Sequence, residues 1–344
     1  MQRGTGPDRR HPAGTGPALE EPGAARGQLD LRLGAALHPA HRGAALPLQL
    51  QCPVPDVERR RPVRSGLLLL RRVEARHRHG HRRHRPQPKI GIGALPAGFP
   101  PLAFVGSDQK TLTGSEPDLG RLVAAVLGLS PEVRNSTWEN LFVGIDGGKV
   151  DVAFSNVTDT EERKKKYEFA SYRQDNLAFL VRKKSTWNFD GDYETLAGKT
   201  VAVGSGTNQE KILLEWKAKL AKEGKKLTVK YFQDSPSTYL ALNSGRIDAS
   251  FGPNPGFAYH NRQTAGTPNA TRTAGTYSGA GASLQGLIAA TAKKDSGLAK
   301  PLADAINYLI EHGQYAQWLK AYDLSDEAVA KSEVNPPGLP LDNS

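Results

Sequence analysis

From residue 89 onward, apolar and polar positions alternate with two periods, one typical of strands and the other typical of helices. Between the strand-like runs, apolar residues three and four positions apart predict helices that pack by one face, the first of them beginning at Asp118. Strands that alternate with helices indicate an α/β fold with mostly parallel sheets. The predicted strands lie at residues 89–93, 150–154, 200–203, 227–231 and 247–251.

Capping and stop signals predict where other helices begin and end. Ser136, with a glutamate three residues later, forms a capping box, so we expect a helix that starts there and ends near Gly147. Ser235, which is followed by proline, predicts another helix start. Apolar stripes predict two further helices near the C-terminus, the first of which ends at Gly313.

A repeated pattern suggests how these elements are organised. The sequence at 148–154 reappears in similar form at 245–251, each time after a helix and before a polar turn. This repeat indicates two α/β lobes of related plan, and residues 284–292 are expected to form a strand that returns to the first lobe. Ligands of such sheets bind beyond the carboxyl ends of the strands, here residues 155–158 and 252–254, so we expect a cleft between the lobes.

The formal net charge of +11 comes almost entirely from the start of the chain. Residues 1–88 hold 17 Arg, no Lys and 7 acidic residues, which leaves residues 89–344 with 29 basic and 28 acidic residues. A nearly neutral body lacks the electrostatic footprint of a nucleic-acid-binding protein. We therefore expect no nucleic-acid partner.

Residues 1–88 also lack Phe, Tyr, Trp and Ile, so they cannot bury enough apolar area to offset chain entropy. Three interpretations stay open: a spurious segment read in a wrong frame from GC-rich DNA, a disordered tail, or a basic arm that binds nucleic acid, whose His residues also resemble a metal-binding tract. We favour the first and then the second. No export signal with charged, apolar and small-residue regions in order is recognisable, and the apolar run at 67–70 is too short to span a bilayer.

The body of the chain contains no recognisable catalytic constellation. The single cysteine, Cys52, excludes an internal disulfide framework and any cysteine-based zinc cluster. His260 and His312 have no metal-ligand partner one helical turn away, so a structural role is expected for both. We expect no catalytic residue, no metal site and no cofactor.

Three features favour the binding of a small anion. Residues 158–163 follow a strand and are expected to open a helix, whose positive end and Arg163 would bind a carboxylate; an ion pair of Arg163 with a neighbouring glutamate is an equal alternative. Residues 204–208 again lead from a strand to a helix, where an ordinary N-cap is the common alternative. Phe99 and Trp138 could sandwich a ligand, although core packing is the simpler interpretation of each ring.

Together, these segments resemble the periplasmic amino-acid-binding proteins of ABC transporters, the family 3 solute-binding proteins, over about residues 89–330. No single motif is specific, and the resemblance lies in their order and spacing. It implies a two-lobed periplasmic-binding-protein fold (type II) of the α/β class, hinged by two crossing segments and closing around a ligand. The matching motifs lie at residues 99–104, 114–119, 138–141, 148–151, 158–164, 169–172 and 201–207.

The resemblance implies a division of the chain into lobes. We expect residues 89–176 and 277–335 to form lobe 1 and residues 177–276 to form lobe 2. A disordered or spurious N-terminal segment, residues 1–88, would precede them, and residues 336–344 would be a tail.

The resemblance also implies a set of ligand-binding residues. Arg163 would clamp the ligand carboxylate, helped by Thr158 and Thr207, and Asn156 would offer polar contacts to the ligand amino group. Aromatic rings would flank the ligand side chain. The expected set is Phe99, Trp138, Ser155, Asn156, Thr158, Arg163, Gly206, Thr207 and Asn254.

One position departs from the family pattern. The family usually has an Asp that binds the α-ammonium where this chain has Pro253, which has neither a charge nor an N–H. The neighbouring Asn254 could supply a neutral acceptor, but only with a shifted loop. A small carboxylate is therefore a firmer expectation for the ligand than an α-amino acid.

These features lead us to expect the monomeric substrate-binding component of an ABC transporter, in the periplasm or tethered outside the cell. It would capture a small polar carboxylate, with amino acids as the first candidates, and deliver it to a membrane permease. The alternative is a periplasmic lyase on the same fold, similar to cyclohexadienyl dehydratase, which needs a general acid or base in the cleft. A ligand-sensing domain of a larger receptor is a third hypothesis.

Overall fold

The computed structural model describes residues 87–96, 98–232 and 234–342, so the predictions for residues 1–86 lie outside the described residues. The strands are β1 (Lys89–Ala94), β2 (Phe104–Val105), β3 (Leu112–Thr113), β4 (Ser130–Asn135), β5 (Val152–Ala153), β6 (Tyr167–Gln174), β7 (Asn176–Arg182), β8 (Thr200–Ala202), β9 (Thr228–Lys230), β10 (Ala249–Pro253), β11 (Thr271–Ser278) and β12 (Leu287–Lys293). The α-helices are α1 (Ser115–Val126), α2 (Trp138–Asp146), α3 (Asn208–Lys222), α4 (Ser235–Asn243), α5 (Asn254–Thr264), α6 (Ala299–Glu311) and α7 (Gln314–Ala321). Short 3-10 helices lie at Arg163–Lys165, Tyr193–Leu196 and Ser325–Glu327.

The first lobe is built on a five-stranded sheet in the order β4-β1-β5-β12-β6. β1 pairs in parallel with β4 and β5, whereas β12 runs antiparallel to β5 and β6. Ile92 of β1, Leu119 of α1 and Ile306 of α6 share one buried cluster with Trp318 of α7. The strand expected over residues 284–292 is thus present as β12 and joins this sheet, as predicted.

The second lobe is built on another five-stranded sheet, in the order β11-β7-β10-β8-β9. β8 is parallel to β9 and β10, and β7 is antiparallel to β10 and β11. Aromatic rings dominate its core: Phe179 of β7 stacks on Phe251 of β10 with centroids 4.4 Å apart, and Trp216 of α3 lies 5.7 Å from Phe251. These ring contacts hold the apolar face of α3 against the sheet.

Two short segments connect the sheets. Asp175 alone separates β6 from β7, and residues 279–286 lead from β11 back to β12. The backbone N–H of Gly279 donates to the Asp175 carbonyl at 2.9 Å, and the N–H of Asp175 donates to the Gly286 carbonyl at 2.7 Å, so the two segments hold each other. This mixed α/β architecture with two lobes agrees with the predicted type II fold.

The starts of two helices differ from the sequence predictions. α1 begins at Ser115 and not at Asp118, because the acidic residue and the proline between them suit the first turn of a helix. α2 is capped by Thr137, whose hydroxyl accepts a backbone N–H of the first turn, and not by Ser136. The Ser136 hydroxyl instead donates to the carbonyl of Thr137, so the predicted capping box does not form.

The prediction that residues 158–163 open an α-helix was wrong. Only the 3-10 helix Arg163–Lys165 forms there, and β6 begins at Tyr167. The buried strand β6 begins too soon along the chain to leave room for a longer helix. Arg163 is therefore positioned by a turn, and the α-helix expected at residues 158–163 does not supply a positive end there.

The segment expected to be a tail is bonded to the rest of the protein. Leu339 is 1% exposed, forms a bridge with Thr160 of the first lobe, and packs into the apolar core of the second lobe. The Lys164 ammonium donates to the carbonyl of Pro336, and Gly338 N–H donates to a Glu161 carboxylate at 3.0 Å. The C-terminal residues therefore contact both lobes.

Candidate functional site

Residues 155–158 follow β5, the central strand of the first sheet, at its carboxyl end. The Ser155 hydroxyl is fully buried and donates to the Gly93 carbonyl at 3.0 Å, so it ties β5 to β1. Asn156 has φ 54°, the left-handed conformation that asparagine tolerates better than most residues. The chain therefore turns sharply at Asn156 and brings Thr158 towards the crossing segments.

The side chain of Asn156 is held by charged residues of the first lobe. Its Oδ1 accepts a hydrogen bond from the Arg173 guanidinium, and its backbone N–H donates to Glu116 Oε2 at 2.7 Å. With Oδ1 engaged, Nδ2 is the group that the side chain offers most readily, and Nδ2 is a donor. This geometry favours a ligand oxygen next to Asn156, whereas the family resemblance implied the ligand amino group.

Thr158 connects the loop at residues 155–158 to the first crossing segment. Its hydroxyl donates to Asp175 Oδ2 at 2.7 Å, and Asn208 Nδ2, at the start of α3, donates to the same oxygen at 2.9 Å. Asn208 Nδ2 also donates to the Gly279 carbonyl at 2.9 Å. One buried carboxylate thus joins the first lobe, the second lobe and the second crossing segment, and burial raises the pKa of Asp175.

Arg163 points into the space between the lobes. It donates to the Thr158 carbonyl of its own loop at 2.9 Å and to the Gly206 carbonyl of the second lobe at 3.2 Å. The guanidinium carbon lies 5.1 Å from the ring centroid of Trp138 and 5.6 Å from that of Phe142. Desolvation lowers the pKa of Arg163 to about 10, so it stays cationic at neutral pH. Because its closest polar partners are neutral carbonyls, its charge remains available to an anion.

The Gly206 carbonyl is the point where the second lobe meets this cluster. Trp138 Nε1 also donates to it, at 3.3 Å, so two side chains of the first lobe converge on one main-chain oxygen of the second. Gly206 has φ 71°, and a Cβ there would lie 3.4 Å from Trp138 Nε1. Glycine therefore suits both the turn and the close approach of the indole.

Thr207 forms the N-cap of α3, as its position before the helix suggested. Its hydroxyl accepts the Glu210 N–H at 3.2 Å and donates to the Gly204 carbonyl at 2.7 Å. The hydroxyl is thus already engaged on both sides. Contact between a ligand and Thr207 would fall to its backbone N–H, near the positive end of a 15-residue helix.

Two of the expected residues lie apart from the Arg163 cluster. Phe99 is half-buried on the loop before β2, where it pairs with Ala103. Asn254 begins α5 directly after β10 and lines a cavity of about 320 Å³ together with Glu327 of the first lobe. The structure therefore brings together Trp138, Thr158, Arg163, Gly206 and Thr207, whereas Asn254 belongs to a neighbouring space.

A charged cluster behind Asn156 was missed by the sequence reasoning. Arg173 is 1% exposed and bonds Glu327 and Glu116, the latter at 3.0 Å. The Tyr172 hydroxyl donates to Glu116 as well. A signal existed, because Arg173 directly follows the apolar and small residues 169–172 in a strand that is buried from residue 169 to residue 173, so its charge would have to be paired inside the lobe. Its two partners, however, are far from it in sequence.

The part of the chain that the structure describes gives no sign of two other kinds of site. No helix in it is both long and apolar enough to cross a bilayer. No group of three or more His, Cys, Asp or Glu side chains in it is arranged to hold a metal ion. The two body histidines stack on tyrosines, His260 on Tyr239 and His312 on Tyr308, with centroids 3.6 Å and 3.9 Å apart.

Comparisons with a family model and with individual proteins point to the same family. The model of the bacterial extracellular solute-binding proteins, family 3, matches residues 92–324. The L-cystine-binding protein of Escherichia coli (strain K12) is 36% identical over 155 residues, which is 44% of this chain and 54% of that protein. The chain thus spans about half the length of this curated relative. The arginine-binding protein ArgT of Corynebacterium glutamicum is 28% identical over 258 residues, 72% of this chain and 81% of that protein.

Solved structures agree with the two-lobed fold. An ancestral arginine-binding protein bound to arginine superposes with a TM-score of 0.58 at 25% identity, over 70% of this chain and 99% of that one. A mutant of ArgBP from T. maritima gives a TM-score of 0.56 at 26% identity, over 68% of this chain and 95% of that one.

Proposed function

Because the chain belongs to the bacterial extracellular solute-binding proteins, family 3, we propose that it captures an amino acid by lobe closure and delivers it to an ABC transporter permease. The observation that carries this proposal is the position of Arg163, which bonds carbonyls of both lobes. A ligand carboxylate between the lobes would receive the guanidinium directly, as a bidentate pair.

Lobe closure supplies the mechanism. Trp138 and Arg163 of the first lobe reach Gly206 of the second lobe only when the lobes are together. A ligand that contacts both lobes gains these interactions in the closed state alone, and so shifts the population towards it. The permease would then recognise the closed form, in the periplasm or outside the cell, with a single copy of the chain per ligand.

The relatives suggest the class of ligand. Proteins named for L-cystine and for arginine are among those similar to this chain. Both ligands are amino acids with a carboxylate for Arg163. In this proposal the protein is a binding protein and not an enzyme, so its ligand leaves unchanged.

The first experiment is a thermal-shift screen of the full chain against amino acids and related carboxylates. A ligand that binds only the native form raises the melting temperature with its concentration. Formation of product from prephenate or arogenate by the purified protein would contradict the non-enzymatic part of the proposal. No shift with any amino acid would contradict the proposal as a whole.

The second experiment is Arg163→Ala, with calorimetry of the best ligand from the screen. Loss of a charge-assisted pair with the ligand carboxylate should weaken binding by about a hundredfold or more. Arg163→Lys keeps the charge without the planar fork and should recover only part of the affinity. Arg134 is an exposed arginine paired with Glu132, so Arg134→Ala is the matched control and should bind the ligand with normal affinity. Near-normal affinity in Arg163→Ala would refute the assignment.

A further inference from the structure

A cavity of about 320 Å³ lies between the lobes, and its lining contains none of the residues of the Arg163 cluster. From the second lobe it is lined by successive turns of α5, from Asn254 to Arg262. From the first lobe it is lined by Pro101 and by residues 322–327. Its volume is at the small end of the range for small-molecule sites, which suits one end of a ligand.

Carboxylates outnumber cations around this cavity. Asp323, Asp326 and Glu327 line it, and the one cationic side chain in its lining is Arg262. Arg262 already pairs with Asp323, at 2.7 Å between the lobes. Asp326 and Glu327 are therefore left without a cation from the cavity lining.

Glu327 is the buried member of this pair. It is 1% exposed; its Oε2 accepts from Arg173, while its Oε1 has no hydrogen-bond partner among the described residues. Arg173 also serves Glu116, so one guanidinium is shared by two buried carboxylates. A buried carboxylate without a full set of partners is costly, and a nearby cation would lower that cost.

The loop at 156–158 connects this cavity with the carboxylate end of the cleft. Asn156 accepts from Arg173, which in turn bonds Glu327, and Thr158 accepts from Arg163. The two arginines therefore contact positions two residues apart on one loop. This loop therefore links the cavity and the Arg163 cluster through two successive contacts.

We propose that the cavity bordered by Asp326 and Glu327 binds a cationic nitrogen group, ammonium or guanidinium, of the ligand whose carboxylate meets Arg163. This inference rests on the proposed function and narrows it to ligands that carry a positive group away from that carboxylate. A basic side chain supplies such a group, and so does the second ammonium of a diamino acid such as cystine.

The first test compares ligands of equal shape on the full-length protein. L-arginine and L-citrulline differ in the charge of the terminal group, so calorimetry should give at least about tenfold tighter binding of arginine. L-cystine forms a separate arm, which distinguishes a second ammonium from a basic side chain. Equal affinity for arginine and citrulline, together with no binding of cystine, would overturn the inference.

The second test changes the carboxylates. Glu327→Gln should reduce the preference for the cationic ligand (arginine over citrulline, or cystine over neutral amino acids) by about tenfold, and Asp326→Asn by about twofold to fivefold. Asp326 is exposed, so its variant keeps the inference testable even if Glu327→Gln folds poorly. Glu311→Gln removes one exposed charge elsewhere on the first lobe and should change nothing. An unchanged preference in both cavity variants would overturn the inference.

A proton measurement separates ligand contact from a structural role. Burial raises the pKa of Glu327 to about 7, so at that pH a fraction of the protein holds a proton there. A cation bound nearby lowers this pKa, so calorimetry in buffers of different ionisation enthalpy should detect proton release with the cationic ligand. Citrulline should release none, and Glu327→Gln should release none with any ligand. The charged and titratable groups that act on Glu327 are Arg173, Asp175, Asp326 and Tyr315, and Glu116 shares the Arg173 guanidinium with it.

The outcomes distinguish this inference from the proposed function. If no amino acid binds, the proposed function fails and the inference fails with it. If neutral amino acids bind as tightly as arginine and cystine, and Arg163→Ala still abolishes that binding, the proposed function stands and only the cationic cavity is wrong.

Discussion

Two arginines contact the loop at residues 155–158, Arg163 and Arg173, and the protein holds them in opposite ways. Arg163 is half-buried, donates to two neutral carbonyls and lies over the rings of Trp138 and Phe142. Arg173 is 1% exposed and has carboxylate partners on α1 and on the 3-10 helix after α7. The difference teaches that partners, and not residue type, decide which cation can serve a ligand. A guanidinium bonded to neutral acceptors can still pair with a ligand carboxylate, whereas one between two carboxylates is already neutralised.

The strongest way to separate the two roles is to remove the buried arginine. Arg173→Met leaves Glu116 and Glu327 without their cation inside the lobe, so the free energy of unfolding should fall by about 3–5 kcal/mol. Chemical denaturation measures this loss. Arg134→Met removes an exposed arginine from a surface pair and should stay within about 1 kcal/mol of the parent. If the Arg173→Met variant is as stable as the control, the structural role of Arg173 is contradicted.

The next largest effect tests the carboxylate that lies between the arginines. The charges of both arginines act on the Asp175 carboxylate. A Cβ on Gly279 would lie 1.7 Å from Asp175 Oδ2. Gly279→Ala should therefore displace the crossing segment and cost about 1–3 kcal/mol of stability. Gly256→Ala, in a helix with no atom within 4 Å of the added Cβ, should be neutral or slightly stabilising. Equal melting temperatures for the two variants would contradict this tight contact.

A separate effect on stability is expected from pH. The pKa of Glu327 is about 7 in the folded protein, above its ordinary value of 4.5, because of burial. In this window the folded state binds more protons than the unfolded state, so the contribution of Glu327 to stability falls as pH rises from about 4.5 to 7 and is level above that. Glu327→Gln should flatten this slope, measured by denaturation at several pH values. A steeper or unchanged slope would contradict the expectation.

The smallest effect concerns the closing contact beside Arg163. Trp138→Phe keeps an aromatic face for the guanidinium but removes the hydrogen bond to the Gly206 carbonyl. Ligand affinity should fall by about threefold to tenfold, as expected for one neutral hydrogen bond. Trp187→Phe is a matched control, because its indole also donates to a carbonyl, that of Thr195 within the second lobe. The control should lose stability and keep its affinity.

The comparison of the arginines also indicates how far the sequence could lead. Local periodicity was enough for the alternation of strands and helices, and Thr207 could be recognised as a helix start because its signal lies within a few residues. The helix expected at 158–163 was wrong, since β6 begins a few residues later and only a turn fits. Arg163 reached the cleft nonetheless, because the turn and not a helix directs it.

Contacts between distant parts of the chain were beyond local reasoning. Glu327 and Arg173 are in direct contact although 154 residues separate them in the chain, and nothing beside either residue in the sequence marks the other. The same holds for Asn208 and Gly279, which meet at Asp175. Such pairs depend on how the sheets are ordered and connected, which a single sequence encodes only through the fold as a whole.

The acceptor at Gly206 has a consequence for any survey by substitution. Trp138 and Arg163 both recognise a main-chain oxygen, so replacing side chains of this turn one at a time leaves the recognised atom in place. Alanine scanning would therefore underestimate how much this turn contributes to the contact between the lobes. Gly206 is the exception, because its φ of 71° is unfavourable for alanine. The other side chains of the turn can also change during evolution without loss of these two hydrogen bonds, provided that the backbone conformation of the turn is kept.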